Sequence, residues 1–228
     1  MSEPHDDQER SLRDGTITRV VTQKRDAERV SVFIDGQFAF GLALDLALEA
    51  GLRKGKTLTV AEQEALLAKE QTHRARAAAL DYLTYGAKTA AEVRRKLREK
   101  GYADDAVEDA VAHLEGYGYL DDAAYARAFV RDRFGGRGHG PQRLRADLLQ
   151  RGVDKAVIEE ALAELVEAED LGEAAMHLAR PRWNRLAREP DPRKRKKKTM
   201  DFLLRRGYAF DVAREVVEAL AREEAEGG

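Results

Sequence analysis

Six consecutive cations, Arg193-Lys194-Arg195-Lys196-Lys197-Lys198, are the densest chemistry in this sequence. Like charges packed so closely repel one another, and an anionic partner such as nucleic-acid phosphate relieves that repulsion. Two further basic segments lie upstream. Arg94, Arg95 and Arg98 fall opposite Val93 and Leu97 if the segment is helical, and Arg143 and Arg145 flank an apolar Leu144, preceded by Arg131. These twelve residues are the candidate contacts to a polyanion or to an acidic protein surface.

Other residue types that do chemistry are poorly arranged for it. The stretch AGLRKGKT, residues 50–57, resembles a phosphate-binding loop, but Ala50 stands where the first glycine is required and a helical pattern precedes it. GGRGHG, residues 135–140, follows a helical pattern rather than a strand and reads as a flexible loop, with Pro141 suited to the next helix's first turn. Asp121-Asp122 reads as a helix N-cap before AAYARAFV rather than a metal site. The five histidines have no ligand spacing; His139 is a loop residue by default, though one able to touch a phosphate. Tyr117, Tyr119 and Trp183 read as packing residues before base-stacking ones. No nucleophile–base pair or metal cluster emerges, so the expectation is a non-enzyme without cofactor or metal. The absence of cysteine excludes disulfides and thiolate sites.

The charges are sorted along the chain, so the net −2 hides strong local fields. Residues 74–100 hold eight Lys/Arg and three acids, and residues 101–126 hold seven acids and no Lys/Arg. Residues 153–173 hold eight acids and one Lys, residues 180–206 twelve Lys/Arg and three acids, and residues 208–228 six acids and two Arg. The polar, acidic start has no signal-peptide layout and no apolar run reaches membrane length, so a soluble, cytoplasmic protein is expected.

The elements that must carry these charges are legible. Residues 15–42 are rich in β-branched and aromatic residues, with a two-residue turn at Asp35-Gly36. That register sets Phe33 against Phe38 and places Phe40 on their face. Residues 42–49 turn helical, Gly55–Leu58 reads as a loop, and Thr59-Val60-Ala61-Glu62 has the form of a capping box opening a helix to about Tyr85.

Beyond residue 74 the chain repeats. Taking Gly101, Gly152 and Gly207 as origins, the fourth residue before each is leucine (Leu97, Leu148, Leu203). Six after come Val107, Ile158 and Ala213; ten after, Val111, Leu162 and Val217; thirteen after, Leu114, Leu165 and Leu220. A helix ended by a left-handed glycine and followed by an apolar stripe at helical spacing accounts for each copy. A third apolar segment precedes each pair. The expected fold is mainly α: three tandem three-helix modules behind a small β-containing N-terminal domain. The expected division is a disordered tail at 1–14, an N-terminal domain at 15–73, and modules at 74–118, 119–167 and 168–228.

TAAEVRRKLREKGY, GYLDDAAYARAFVRDR, GRGHGPQRLRADLLQRGV and KTMDFLLRRGYAFDVAREVV, in that order, resemble the successive motifs of the bacterial RecX regulatory proteins over about residues 74–220. VFIDGQFAFGL resembles the N-terminal extension of longer members. The resemblance implies a monomeric modulator of RecA in recombination, DNA repair and the SOS response, lying in the groove of the RecA–DNA filament. It implies inhibition of filament extension, ATPase and strand exchange, and contact with single- and double-stranded DNA but no membrane. Arg94, Arg95, Arg98, Arg131, Arg143, Arg145 and the run Arg193, Lys194, Arg195, Lys196, Lys197 and Lys198 are then the expected RecA or DNA contacts. The run is denser than expected of the family's third unit. A stand-alone DNA- or RNA-binding protein is the alternative.

Overall fold

The computed structural model describes residues 12–227. The chain divides into two compact units, one running up to Tyr85 and including Arg94–Gly116, the other holding Gly86–Val93 and the chain from Tyr117 onward.

The first unit begins with strands β1 (Gly15–Thr22), β2 (Arg29–Ile34) and β3 (Gln37–Ala43), then a short helix α1 (Leu44–Glu49). The β2–β3 turn has positive φ at both Asp35 (47°) and Gly36 (81°), as a two-residue hairpin with right-handed strand twist requires. Thr57–Leu58, read from sequence as loop, forms a two-residue strand β4 antiparallel to β1, giving the sheet order β3-β2-β1-β4. The segment is too short to leave a period-two pattern. Residues 13 and 14, assigned to the tail, are held in place. The Arg13 carbonyl accepts from Gln63 Nε2 at 2.7 Å and Asp14 Oδ1 from the Val60 amide at 2.7 Å; the tail up to residue 11 lies outside the described residues.

One sheet face carries Ile17, Val30, Val32, Ile34, Phe40 and Leu42 into a core closed by Ala47, Leu58 and Leu66. Phe33 does pair with Phe38, but Phe40 does not share their face. The register shifts by one residue between Val32 and Phe33, so Phe40 pairs with buried Val32 and is itself fully buried. A bulge reverses every side chain beyond it. Helix α2 (Val60–Leu83) starts with the expected capping box: Thr59 Oγ1 accepts from the Glu62 amide, and Glu62 from the Thr59 amide. Its Glu70, buried under the sheet, accepts from the Ala43 amide at 2.8 Å and pairs with Arg29 at 2.6 Å.

Three three-helix modules follow: the end of α2 with α3 (Ala90–Glu99) and α4 (Asp104–Gly116); α5 (Asp122–Arg137), α6 (Pro141–Gln150) and α7 (Lys155–Ala168); and α8 (Leu171–Arg185), α9 (Pro192–Arg206) and α10 (Phe210–Gly227). All twelve repeated apolar positions are buried. Gly101, Gly152 and Gly207 adopt φ of 84°, 77° and 90°, ending α3, α6 and α9 in the left-handed region where glycine is least strained. None of the described helices is long and apolar enough to cross a membrane.

Within the second unit the middle helices join end to end. The last carbonyls of α9 meet the first amides of α6: Gly140 N donates to Arg206 O at 2.8 Å and Gln142 N to Gly207 O at 3.0 Å. Both helix ends thereby satisfy groups that would otherwise lack partners. A Cβ on Gly140 would lie 2.5 Å from Gly207 O, and one on Gly207 would lie 2.9 Å from Arg143 Cα. The same joint recurs one module earlier. There Thr89 Oγ1, at the N-terminus of α3, donates to Arg151 O at 2.7 Å, and a Cβ on Gly152 would overlap the Ala91 Cβ. GGRGHG is therefore no flexible loop. Gly135, Gly136 and Arg137 form the last turn of α5, Gly138 caps it at φ 62°, and Gly140 is buried in the joint.

The joint also buries Tyr208, whose hydroxyl finds no hydrogen-bond partner among the described residues. Burial pushes its pKa from 10 up to about 12, with Arg206 opposing. The folded state thus holds the proton more tightly than the unfolded one, so its contribution is complete below pH 10 and is lost as pH rises through about 12. Tyr208→Phe is expected to fold at least as stably at neutral pH and to lose part of this alkaline destabilisation, as urea unfolding at pH 7 and pH 11 checks.

The glycines separate two costs. Nothing lies within 4 Å of a Cβ at Gly101, so Gly101→Ala should cost only left-handed strain, roughly 1–2 kcal/mol. Gly207→Ala adds overlap with the α6 backbone and is expected to cost clearly more. Equal losses in chemical denaturation would mean that the α9–α6 joint does not form.

Candidate nucleic-acid interface

The twelve candidate cations divide by what they touch. Several are consumed inside their own module. Arg94 Nε donates to Glu108 at 2.8 Å, and Arg98 bridges Asp104 at 2.8 Å and Glu108 at 3.1 Å. The hydrogen bond that Arg98 donates to Asp104 raises the Arg98 pKa further. Arg145 makes a two-pronged pair with Glu159, both contacts 2.7 Å. That pairing holds the Glu159 carboxyl below its usual range. The acids of each third helix therefore neutralise the basic middle helix of the same module. Arg143 is weakly engaged, 3.8 Å from Asp147 and donating to Arg205 O at 3.4 Å.

The six-cation run is split by helical geometry. Arg195 shares the inward face of α9 with Thr199 and Leu203 and is only 8% exposed. Its guanidinium lies 4.2 Å over the Trp183 ring, donates to the Trp183 carbonyl at 3.1 Å, and pairs with Glu224 at 2.7 Å. The hydrogen bond from Arg195 holds the Glu224 carboxyl below its usual range. Arg195 is thus a packing residue, placed by a partner 29 positions away in α10 that sequence spacing does not announce. Trp183 is buried beneath it, as read from sequence. Lys198 pairs with Glu189, whose carboxyl it lowers.

Arg193, Lys194, Lys196 and Lys197 remain exposed, and no side-chain ion pair engages them among the described residues. They occupy the first turns of α9, the positive end of its helix dipole, where cations are least favoured. Asp191 caps that end through the Arg193 and Lys194 amides, and Glu189 feels the Lys194 charge from a distance, but no carboxylate pairs directly with these four side chains among the described residues. Arg95 and Arg131 are likewise exposed and unpaired among the described residues. This remaining set suits phosphate contacts.

Asp121 is the N-cap expected, accepting from the Ala124 amide at 2.8 Å. Tyr117 and Tyr119, read from sequence as packing residues, are 70% and 62% exposed, and Leu120 takes the buried position instead. His139 is mostly enclosed in the α9–α6 joint. Burial, then Arg143, lowers its pKa while Asp147 opposes, leaving a largely neutral ring at pH 7 that is poorly suited to phosphate.

The two roles within one basic run are separable. Arg195→Ala is expected to lower the melting temperature by several degrees and to shift Trp183 emission to the red. Lys197→Ala should leave both unchanged or raise stability slightly. Circular dichroism melts with parallel tryptophan spectra check this, and an inert Arg195→Ala would refute the packing role.

The chain matches four domains of one family in order: the regulatory protein RecX N-terminal domain at residues 15–59, and the first, second and third RecX three-helix domains at 75–114, 121–162 and 168–217. It is 36% identical over 203 residues to the regulatory protein RecX of Clostridium botulinum (strain Eklund 17B), covering 89% of this chain and 94% of that one. Against the regulatory protein RecX of Clostridium perfringens (strain SM101) it is 30% identical, covering 92% and 98%. A crystal structure of regulatory protein RecX superposes with a TM-score of 0.73 at 29% identity, covering 90% of this chain and 99% of that one. RecX from Lactobacillus salivarius gives 0.61 at 26% identity, covering 67% and 98%. With four domains matched in sequence order and the repeat architecture shared, the chain belongs to the RecX family of regulatory proteins.

Proposed function

We propose that this protein is a non-enzymatic cytoplasmic regulator that binds the RecA–DNA filament as a monomer and inhibits filament extension, ATP hydrolysis and strand exchange. Direct DNA affinity comes from the uncompensated cations. Family membership supports RecA as the partner. The observation that carries the DNA component is the placement of Arg193, Lys194, Lys196 and Lys197 at the positive end of α9, where no carboxylate forms a direct ion pair with them among the described residues. Such an arrangement costs stability in the free protein and is relieved when phosphates arrive. Arg95 and Arg131 add to the same contact set, with Arg143 a weaker member. Arg94, Arg98, Arg145, Arg195 and Lys198 shape the surface through internal pairs. In this reading the acidic third helices prevent general polycation behaviour and so favour a specific partner.

The test is RecA ATP hydrolysis on single-stranded DNA, titrated with this protein well below the RecA concentration. Hydrolysis is expected to fall at substoichiometric levels. Changing Arg193, Lys194, Lys196 and Lys197 to glutamine should weaken DNA binding and flatten its log–log salt dependence by about 0.7–0.9 per lost phosphate contact, while inhibition of preformed filaments largely persists. Inhibition only at protein levels that coat the DNA, and abolished by the same change, would replace this reading with that of a stand-alone DNA- or RNA-binding protein.

A further inference from the structure

The N-terminal sheet has a second face, turned away from the core, that none of the roles above uses. Strand register sets Arg19 beside Phe33, Val21 beside Ser31, and Phe33 beside Phe38 on it. Phe38 is 46% exposed and Val21 41%, although both sit in regular strand. The Phe33 and Phe38 rings meet edge to face at 5.8 Å, and the Arg19 guanidinium lies 4.0 Å over the Phe33 ring. Beside them is a cleft of about 450 Å³ walled by Arg19, Lys24 and Arg25 together with Gln23, Ser31 and Phe33. No carboxylate lines it among the described residues.

An exposed aromatic, a flat guanidinium and a rim of cations make a surface complementary to unstacked bases joined by phosphates. A duplex cannot use it in this way, since its base faces are already stacked. An acidic peptide would use the cations but gains little from the exposed Phe38 ring on the edge strand β3. Gln23, whose Nε2 donates to Ser31 Oγ at 3.4 Å, adds polar groups to the cleft wall.

We propose that the outer face of this sheet binds single-stranded nucleic acid, with Phe38 stacking on a base and Arg19, Lys24 and Arg25 meeting phosphates. The inference deepens the DNA-binding part of the reading above, and rests on it only in taking DNA as the polyanion. The sheet becomes a contact separate from the cations of α9, with a different preference: unpaired strands rather than any phosphate backbone.

The experiment is fluorescence anisotropy of a labelled oligothymidylate and a labelled duplex with the full chain, its Phe38→Ala variant, a Lys24→Gln/Arg25→Gln variant, and the four-residue glutamine variant of α9. Circular dichroism confirms that each folds. Phe38→Ala is expected to weaken oligothymidylate binding at least about fivefold, the loss of one stacked base, with the salt slope and duplex binding unchanged. The Lys24/Arg25 variant should flatten the single-strand salt slope by about 0.7 per lost contact. Parent-like single-strand binding by Phe38→Ala would overturn the inference. If only the α9 variant weakens binding, the sheet site falls and the broader DNA reading stands. If the parent binds neither DNA, both fall.

Discussion

The helical part of this protein depends on a backbone-to-backbone joint at a left-handed glycine. A middle helix ends at Gly152 or Gly207, and the missing Cβ lets that end abut the start of the preceding middle helix. At the α9–α6 joint the exposed carbonyls of one helix cap the exposed amides of the other, so no capping side chain is needed at Gly140. At the earlier joint a side chain takes over the task, Thr89 capping α3 through Glu92 while its hydroxyl reaches Arg151 O. Two chemistries thus solve one geometric problem. Gly101 ends α3 in the same conformation with open space around its missing Cβ, so its glycine answers to φ alone.

A separate contact, between the middle and third helices of a module, governs how charge is distributed. Each third helix lies against its own middle helix, and the acids of the former neutralise the arginines of the latter through Arg94–Glu108, Arg145–Glu159 and Arg195–Glu224. The first two of these pairs are largely exposed and add little stability individually. Their effect on binding is larger, because a paired arginine is a poor phosphate ligand until its carboxylate is displaced. Sorted sequence charge therefore overstates the available positive surface, and of the twelve candidates those without a direct ion pair among the described residues are Arg95, Arg131 and four at the start of α9.

Much of the fold was legible because its determinants are local. An αL glycine, a capping box, a two-residue turn and an apolar stripe at helical spacing each leave a mark within a dozen residues. All twelve repeat positions are buried for that reason. Determinants that couple distant residues left no such mark. The one-residue bulge beside Phe33 has no compositional signal, yet it sends Phe40 to the opposite face. The partners of Arg195 and Arg151 lie 29 and 59 residues away, and Gly140 reads as a loop glycine until its contact with residue 207 is known. The candidate interface suffered most. A run of six cations looks uniform in sequence, but a helix turns one of them inward and sets another beside a glutamate.

Arg195 makes the physical point sharply. It stands in the middle of the most basic stretch of the chain and is among its least available cations, because α9 can bury a guanidinium only where an indole, a carbonyl and a carboxylate converge. Converting it to lysine would keep the charge but lose the planar fork that meets Trp183 and Glu224 together. Arg193, Lys194, Lys196 and Lys197 are exposed and meet no such convergence. The same six residues thus meet two physical demands, one of geometry and one of field. The alternation between them follows from 3.6 residues per turn.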